Sequence, residues 1–317
     1  MSLNKYMKIN RLEFLVTNSC TSRCRHCSVG NTANRTTASI DKEVAVSVVT
    51  ELAKQYDINS VMTFGGEPLM YADTTCAIHE AATSRGILKR QIITNGFFTN
   101  DNARILSVAK ALKESGVNSL LLSVDAFHQE HISLEKVYFF AKAVCNEHIE
   151  GLKLHPAWVA DRSNENKYNL ETEKCLKYFA DLEIPVSEGN SIFPAGNAIV
   201  YLSEFFEKKL VDLGMKCGEL PYTDRLDDIK TIAVSSNGDV VACCFTIGNV
   251  YNESITEIIN RYDPYKNPMM KALIDGGIGE LVKLAENNGM TIDISQYYSA
   301  CGVCRDIVKK LSPVLHS

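Results

Sequence analysis

Hydrophobic and polar residues alternate with two different periods along most of the chain. Short runs rich in β-branched residues predict strands, and longer stretches with an apolar residue every three or four positions predict helices. The predicted strands are residues 12–17, 60–64, 90–94, 119–124, 152–159 and 183–186, and the predicted helices between them are 40–55, 71–86, 101–115, 133–148 and 166–182. Such regular alternation is typical of consecutive βα units that build a parallel sheet.

The length of this repeating region indicates how many units it holds. A closed eight-unit barrel takes about 250 residues, or roughly 31 per unit. The span 11–198 therefore has room for about six units. We predict an α/β domain over residues 1–200, either a partial (β/α)6 TIM-type barrel or a doubly wound open sheet.

A second, smaller domain is predicted over residues 201–317. Its pattern contains a helix at 201–213 and a hairpin at 231–245, in which Asn237-Gly238 supplies the tight turn. Short helices follow. Because this region has few large apolar residues of its own, we expect it to need a metal for stability.

Composition excludes several classes of protein. The chain is 45% hydrophobic with a net charge of −5, which indicates a globular protein without the basic surface of a nucleic-acid binder. No apolar run approaches the roughly 18 residues of a membrane span, and the N-terminus lacks the apolar core of a signal peptide. We expect a cytoplasmic protein with neither a membrane nor a nucleic-acid partner.

Cysteine is the residue type whose pattern points to chemistry. The chain has 11 cysteines, which cannot all pair, and in a reducing compartment such clusters more often bind metals. Cys20, Cys24 and Cys27 form a CxxxCxxC run directly after the first predicted strand. Three thiolates can hold an iron–sulfur cluster and leave one iron open. A zinc site completed by His26, or by a distant fourth ligand, is the alternative.

Three further segments lie at the carboxyl ends of successive predicted strands: Gly65-Gly66-Glu67-Pro68, Thr94-Asn95-Gly96 and Ser123-Val124-Asp125. Together with the cysteine run, in which His26 takes an aromatic position, they make the chain resemble the radical S-adenosylmethionine (SAM) superfamily. Barrel active sites are built at these carboxyl ends of strands.

The resemblance implies a set of cofactors and a role for each motif. Cys20, Cys24 and Cys27 would hold a 4Fe-4S cluster that chelates SAM and receives an electron from a donor such as flavodoxin or ferredoxin. Reductive cleavage of SAM would then give a 5′-deoxyadenosyl radical that abstracts a hydrogen atom from the substrate. The residues implied to contact SAM are Gly65, Gly66, Glu67, Thr94, Asn95, Ser123 and Asp125.

The second part of the chain resembles the SPASM/Twitch subgroup of that superfamily. Pro194-Ala-Gly196-Asn197-Ala198 is similar to its PxGRA segment, with Asn197 in place of arginine. The resemblance implies a small C-terminal iron–sulfur domain whose auxiliary 4Fe-4S cluster is held by Cys217, Cys243, Cys301 and Cys304. A zinc site of four cysteines is the alternative.

Cys244 directly follows Cys243 in the predicted hairpin. Because adjacent residues of a strand point to opposite faces, we expect that the two cannot easily bind one iron site together. Cys244 is then a core thiol, an alternative ligand, or a hydrogen-atom donor near the substrate. In the last role it is the candidate catalytic residue.

Several other residues have weaker assignments. His128 and His131 are expected in the solvated first turn of a helix, and Trp158 in the core. The polar residues that end or follow the late predicted strands are candidates to face a substrate: His155, Asp161, Glu188 and Asn190.

Two activities and one non-enzymatic role fit this pattern. The resemblance favours modification of a ribosomally made peptide, by epimerisation, thioether formation or carbon–carbon crosslinking. Oxidation of a small molecule, such as dehydrogenation of an alcohol, is the alternative. A zinc or iron–sulfur scaffold or sensor would explain the cysteines but not the Gly65-Gly66-Glu67-Pro68 segment.

Overall fold

The structure is a computed structural model that describes residues 3–30, 37–220 and 222–315. Among these residues, no helix combines the length and the apolar character needed to cross a membrane. The chain divides into two compact units. The sheet unit comprises residues 11–205 and 234–238, and the tail unit comprises 1–10, 206–233 and 239–317. The domain boundary predicted at residue 200 stays a prediction.

Parallel strands form the centre of the sheet unit. β1 (Met7–Leu15), β2 (Ser60–Phe64), β3 (Lys89–Thr94), β4 (Ser119–Leu122) and β5 (Leu152–Leu154) lie in that order, each paired in parallel with the next. Strand order that follows the chain is that of a partial barrel, since a doubly wound sheet reverses its order at a switch point. The predicted α/β fold with a parallel sheet is confirmed.

Helices connect these strands and cover the sheet: α1 (Lys42–Leu52), α2 (Ala72–Ser84), α3 (Asn102–Glu114), α4 (Ala126–Gln129), α5 (Leu134–Asn146) and α6 (Lys167–Lys177). Asp41, Asp101 and Asn166 begin α1, α3 and α6, because each side chain accepts backbone N–H groups of the first helical turn. Leu112 of α3 and Phe140 of α5 are fully buried in one continuous core.

The late strands of the sheet unit differ from the sequence prediction. The predicted strand 152–159 is divided into β5 and β6 (Ala157–Trp158), because Pro156 between them has no N–H to donate to a neighbouring strand. The predicted strand 183–186 is wrong, since it forms only an isolated bridge to β5. β7 (Asn190–Ser191) pairs in parallel with β6 instead.

The tail unit combines a small antiparallel sheet with helices. Its strands are β8 (Ile229–Val234), β9 (Asp239–Ala242) and β10 (Phe245–Asn249), in the order β10-β9-β8-β1, and the part of β1 up to residue 10 belongs to this unit. The predicted Asn237-Gly238 turn joins β8 to β9, and Gly238 has the positive φ of 84° that glycine adopts without strain. The helices are α8 (Ile255–Arg261), α9 (Pro268–Gly276), α10 (Ile278–Asn287) and α11 (Ala300–Leu315).

The helix predicted at 201–213 is wrong. The short helix α7 (Asn197–Tyr201) ends where the predicted helix begins, and residues 207–212 have neither helix nor strand structure after a 3-10 turn at Ser203–Phe205. Leu210 is 98% exposed. An amphipathic helix depends mainly on packing of its apolar face, and of this segment only Leu202 and Val211 are buried.

Candidate functional site

The cysteine run lies in the loop that follows β1. Cys20, Cys24 and Cys27 are therefore placed at the carboxyl end of that strand. Cys24 is 6% exposed, and the other two are half-buried. The loop is fastened to itself by Thr17, whose hydroxyl donates to the Ala38 carbonyl at 2.9 Å. This is the position in a βα unit where barrel active sites are built.

Gly65 and Gly66 hold the beginning of this loop against the end of β2. The N–H of Gly66 donates to the Thr17 carbonyl and that of Glu67 to the Ser19 carbonyl, both at 2.7 Å. A Cβ on Gly66 would lie 1.9 Å from the Ser19 carbonyl oxygen. A Cβ on Gly65, whose φ is +142°, would lie 2.5 Å from the Thr17 carbonyl oxygen. Both positions need glycine because loop backbone comes this close.

Glu67 is completely buried, and its carboxylate is used within the protein. Oε1 accepts from the Thr94 hydroxyl at 2.6 Å and the Leu69 N–H at 3.0 Å, and Oε2 accepts from the Asn95 N–H at 2.8 Å. Burial raises the pKa of Glu67 to about 7, although these hydrogen bonds act in the opposite direction. The side chain thus ties the end of β2 to the end of β3.

Asn95 connects the end of β3 with the cysteine loop. Its Nδ2 donates to the Cys20 sulfur at 3.6 Å and to the Thr21 hydroxyl at 3.2 Å. Thr21 in turn donates to the Phe97 carbonyl at 2.6 Å. Burial raises the pKa of the Cys20 thiol to about 11. The amide of Asn95 is therefore already close to the sulfur of a candidate cluster ligand.

Two histidines lie beside Cys24. One ligand atom from each of Cys24, His26 and His128 lies within 4.8 Å of the other two. The His26 ring packs against Phe127 and His128, with ring centroids 5.0 and 4.9 Å apart. Its Nδ1 is buried without a hydrogen-bond partner. Burial lowers the pKa of His26 to about 4, so this ring is neutral near pH 7.

Asp125, which follows β4, has no exposed surface. Its carboxylate accepts the backbone N–H groups of Phe127, His128 and Ala157, and it also bonds His128 Nδ1 at 2.8 and 2.9 Å. Burial favours the neutral form, but the neighbouring His128 holds the pKa of Asp125 well below its ordinary range. The carboxylate that the resemblance assigns to SAM binding is thus enclosed by protein donors.

His128 is not the solvated residue that the sequence analysis expects. Its side chain is 16% exposed. Burial lowers its pKa, but Asp125 and then Cys24 together hold the pKa of His128 well above its ordinary value. The spacing of Asp125 and His128 could have indicated this contact, because an aspartate that begins a helix can pair with a histidine three residues later.

The segment 194–198 also supports the cysteine loop. The Asn197 N–H donates to the Cys27 carbonyl at 2.9 Å, and its Nδ2 donates to the Cys24 carbonyl at 3.1 Å. A Cβ on Gly196, whose φ is +55°, would lie 2.6 Å from the Cys27 carbonyl oxygen. Asn197, which stands where the similar segment has arginine, therefore bonds the backbone of the loop.

A polar group lies at the ends of β5, β6 and β7. His155 Nδ1 is 2.8 Å from the Ser187 hydroxyl, and Asn190 Nδ2 donates to His155 Nε2 at 2.9 Å. Trp158 Nε1 donates to the Glu188 carbonyl at 2.9 Å, which fixes the turn that carries Ser187 and Asn190. Burial lowers the pKa of His155. Three of the four substrate-facing candidates therefore lie together.

The remaining candidates take structural positions. Asp161 accepts the N–H and hydroxyl of Ser163 at 2.8 and 2.5 Å, which organises its own loop. Trp158 is 2% exposed, as expected for a core residue. His131 keeps 39% of its side chain exposed.

The tail unit brings five cysteines together. A side-chain hydrogen bond between Cys217 and Cys243 raises the pKa of the first and lowers that of the second. Cys243 is also hydrogen-bonded to Cys244, whose sulfur is 3.5 Å from that of Cys304. Burial raises the pKa of Cys301, which is also influenced by Cys243 and Cys304. Thiolates in such a group are the soft ligands that iron–sulfur clusters and zinc prefer.

Cys243 and Cys244 are not part of a strand. They form the two-residue turn between β9 and β10, in which Phe245 pairs with Ala242. Cys243 has a φ of 56°, a left-handed conformation that is uncommon for residues other than glycine. The expectation that strand alternation separates the two sulfurs is wrong, because the turn lets both approach other cysteines.

Sequence comparisons place these features among known proteins. A profile of the radical SAM superfamily matches residues 14–194, and a profile of the SPASM iron–sulfur cluster-binding domain matches residues 228–306. The chain is 31% identical to a GTP 3′,8-cyclase of Limosilactobacillus fermentum over 130 residues, which is 40% of this chain and 36% of that protein. It is 26% identical to a GTP 3′,8-cyclase of Petrotoga mobilis over 230 residues, 67% of either protein. The match spans little more than a third of the length of the first curated relatives.

Two solved structures share the fold over most of their length. The structure of anSMEcpe with bound AdoMet and Cp18Cys peptide is 14% identical, with a TM-score of 0.51, and the match covers 96% of this chain and 97% of that one. The structure of BtrN in complex with AdoMet and 2-DOIA is 16% identical, with a TM-score of 0.50, and the match covers 84% and 88%.

We expect Gly66→Ala to displace the start of the cysteine loop, because the added Cβ would collide with the Ser19 carbonyl. Overpacking costs roughly 1–3 kcal/mol, and a local opening of that size should accelerate alkylation of buried Cys24 by about 5- to 150-fold. Iodoacetamide labelling of cluster-free protein, followed by peptide mass spectrometry, measures this rate.

Gly86→Ala is the matched control. Gly86 has a φ of +70°, but no heavy atom lies within 4 Å of its added Cβ. This variant should lose some stability through backbone strain while Cys24 keeps its slow labelling. Equal Cys24 labelling in both variants and the wild type would contradict the account of the loop.

Proposed function

The chain belongs to the radical SAM superfamily, as its motifs indicated, and on that premise we propose that it abstracts a hydrogen atom from a peptide substrate. It is a radical SAM enzyme with a SPASM domain, and its cofactors are SAM, a SAM-binding 4Fe-4S cluster and an auxiliary 4Fe-4S cluster. The proposal rests on one observation above all. The cysteine loop is fastened to the ends of β2 and β3 through Gly66, Glu67 and Asn95.

Cys20, Cys24 and Cys27 are proposed to hold the SAM-binding cluster. Three half-buried or buried thiols in one loop fit this group, because they leave one iron of a cubane for another ligand. Ser22 and Asn95 lie 2.9 and 3.6 Å from the Cys24 and Cys20 sulfurs, and hydrogen bonds to sulfur tune such clusters. Bound there, the cluster supplies an electron for cleavage of SAM to a 5′-deoxyadenosyl radical that removes substrate hydrogen.

The residues that the resemblance assigns to SAM binding lie at the carboxyl ends of β2, β3 and β4: Gly65, Gly66, Glu67, Thr94, Asn95, Ser123 and Asp125. The carboxylates of Glu67 and Asp125 are occupied by protein donors. We propose that these two residues act indirectly. Glu67 fixes the backbone of its turn, and Asp125 orients His128 beside the cysteine loop.

Cys217, Cys243, Cys301 and Cys304 are proposed to hold the auxiliary cluster. Four thiolates can complete a cubane without leaving an open iron. Cys244 then remains as a fifth thiol. Its sulfur is 3.5 Å from that of Cys304, which favours an alternative ligand or a hydrogen-atom donor over a simple core thiol.

A peptide is the substrate class that the polar groups near the strand ends support best. His155 uses both ring nitrogens to hold Ser187 and Asn190, whose uncharged hydroxyl and amide groups suit backbone amides or hydroxyls. A triphosphate is bound by cations, and two arginines of this unit are already paired: Arg25 is 3.1 Å from Glu130, and Arg162 is 2.8 Å from Glu173. The anSMEcpe structure, which binds a peptide, supports the same choice.

A small-molecule substrate is the second candidate. Curated relatives are named GTP 3′,8-cyclases, and the BtrN structure contains 2-DOIA. In this alternative the enzyme would dehydrogenate or otherwise oxidise a small molecule, with the auxiliary cluster accepting an electron. In either case a flavodoxin or ferredoxin is the proposed electron donor.

Cys24→Ala should abolish formation of 5′-deoxyadenosine from SAM under dithionite, because two thiolates cannot retain the proposed cluster. Cys145→Ala is the matched control, since Cys145 lies half-buried in α5, away from the cysteine loop. It should keep wild-type 5′-deoxyadenosine formation. Retained formation in the Cys24 variant would contradict the ligand assignment.

Replacing Cys20, Cys24 and Cys27 together by alanine should halve the iron of the reconstituted protein, from about eight to about four per chain, because each cubane holds four irons. The remaining electron paramagnetic resonance (EPR) signal should not respond to SAM. A variant that binds one zinc and no iron would show that the tail is a zinc site. A SAM-sensitive signal would show that the tail cluster has an open iron.

The substrate class can be tested by mass change. Reconstituted enzyme with SAM and dithionite should alter the mass of members of a library of short Cys-, Ser- and Gly-rich peptides and should leave GTP unchanged. Each altered peptide should also raise 5′-deoxyadenosine formation above the uncoupled rate. Conversion of GTP, or of an alcohol, with no change in any peptide would favour the second candidate.

A further inference from the structure

We propose that Cys24, His26 and His128 form a second metal site, which binds a divalent ion such as Zn2+ in protein that lacks its SAM-binding cluster. Because the ion and the cluster would both bind through Cys24, the two occupancies exclude each other. This inference goes beyond the proposed function, since it concerns the protein before the cluster is assembled.

The distances suit a tetrahedral ion. Ligand atoms of the three side chains lie within 4.8 Å of one another. Zinc bonds of about 2.0–2.3 Å to nitrogen and sulfur require ligand separations of roughly 3.3–3.8 Å. Side-chain rotations that shorten the contacts by about 1 Å would close the site. One sulfur and two imidazole nitrogens are ligands that zinc readily accepts.

His26 supplies an independent indication of a ligand. Its Nδ1 is buried and has no hydrogen-bond partner. A buried polar atom without a partner is costly, and a metal bond is one way to satisfy it. Contacts with the Phe127 and His128 rings fix the imidazole in this position.

Asp125 orients His128 as carboxylates commonly orient histidines that bind metals. The carboxylate bonds His128 Nδ1 at 2.8 Å, which leaves Nε2 as the ring nitrogen that can coordinate. A histidine that binds a metal commonly donates its other ring N–H to a carboxylate, which fixes its tautomer and orientation. Asp125 is itself held by backbone N–H groups of Phe127 and Ala157, so this orientation is fixed before any ion arrives.

The consequence is competition during cluster assembly. The ion displaces the thiol proton of Cys24 and the Nε2 proton of His128, both of which pass to solvent, and it keeps the Cys24 sulfur from iron. Cys20 and Cys27 take no part in the proposed ion site, whereas all three cysteines are needed for the cluster. This difference separates the two occupancies experimentally.

The test uses full-length, cluster-free protein in which serine replaces all five tail cysteines that could bind metal: Cys217, Cys243, Cys244, Cys301 and Cys304. Zn2+ is titrated in competition with a chromogenic chelator, and Co2+ absorption reports thiolate and imidazole ligands. We expect one ion per chain. His26→Phe and His128→Gln should each weaken Zn2+ binding at least tenfold, and circular dichroism checks that both variants fold.

Two controls make the result specific. His131→Gln, one turn beyond His128 and exposed, should leave Zn2+ affinity unchanged. Cys20→Ala should also keep Zn2+ affinity while losing the SAM-binding cluster on reconstitution. Zn2+ binding that survives both histidine variants but disappears in Cys20→Ala would overturn the proposal in favour of a thiolate-only site.

A kinetic measurement tests the competition itself. Preloading with one equivalent of Zn2+ should slow iron incorporation at the cysteine loop at least tenfold, and His26→Phe should remove this delay. Equal iron incorporation with and without Zn2+ would overturn the exclusion. Failure of either test would leave 5′-deoxyadenosine formation by loaded enzyme intact, so the proposed function is tested separately.

Discussion

Two short backbone hydrogen bonds govern the geometry of the candidate site. The N–H groups of Gly66 and Glu67 donate to the carbonyls of Thr17 and Ser19 at 2.7 Å, and so set where the cysteine loop leaves the sheet. Position 66 cannot carry a side chain here, because its Cβ would lie 1.9 Å from the Ser19 oxygen. The glycines of this motif therefore serve the protein's own backbone as well as any bound cofactor.

Buried polar groups then determine which side chains can reach the loop. Both carboxylate oxygens of Glu67 accept hydrogen bonds, from Thr94, Leu69 and the backbone N–H of Asn95. The side-chain amide of Asn95 donates instead to the Cys20 sulfur. Asp125 plays a similar part for His128. In both cases a carboxyl group is removed from solvent and hydrogen-bonded, which is what makes a buried polar group tolerable. These acidic residues shape the site without facing it.

Much of this arrangement could be predicted from the sequence because it is local. Period-two and period-3.6 patterns located β2, β3 and the long helices, and the motifs follow the strands that place them. The failures involve contacts between distant residues. The strand that pairs with β6 begins at Asn190, whereas the sequence pattern predicted a strand at 183–186. Likewise, nothing near position 197 in the sequence indicates that Asn197 bonds the Cys24 carbonyl. Cys243 and Cys244 were predicted within a strand, but β9 ends at Ala242, and the turn that follows places both residues outside the alternation of the strand.

The most direct test of the central claim is EPR spectroscopy of reconstituted, reduced protein carrying Cys217→Ser and Cys301→Ser, recorded with and without SAM. Serine at the three remaining tail cysteines, Cys243, Cys244 and Cys304, as well leaves Cys20, Cys24 and Cys27 as the proposed cluster ligands. The account predicts a cluster signal that persists in this variant and changes when SAM is added, because SAM occupies the iron that the three cysteines leave open. A cluster signal that SAM does not alter, or the absence of any cluster, would contradict it.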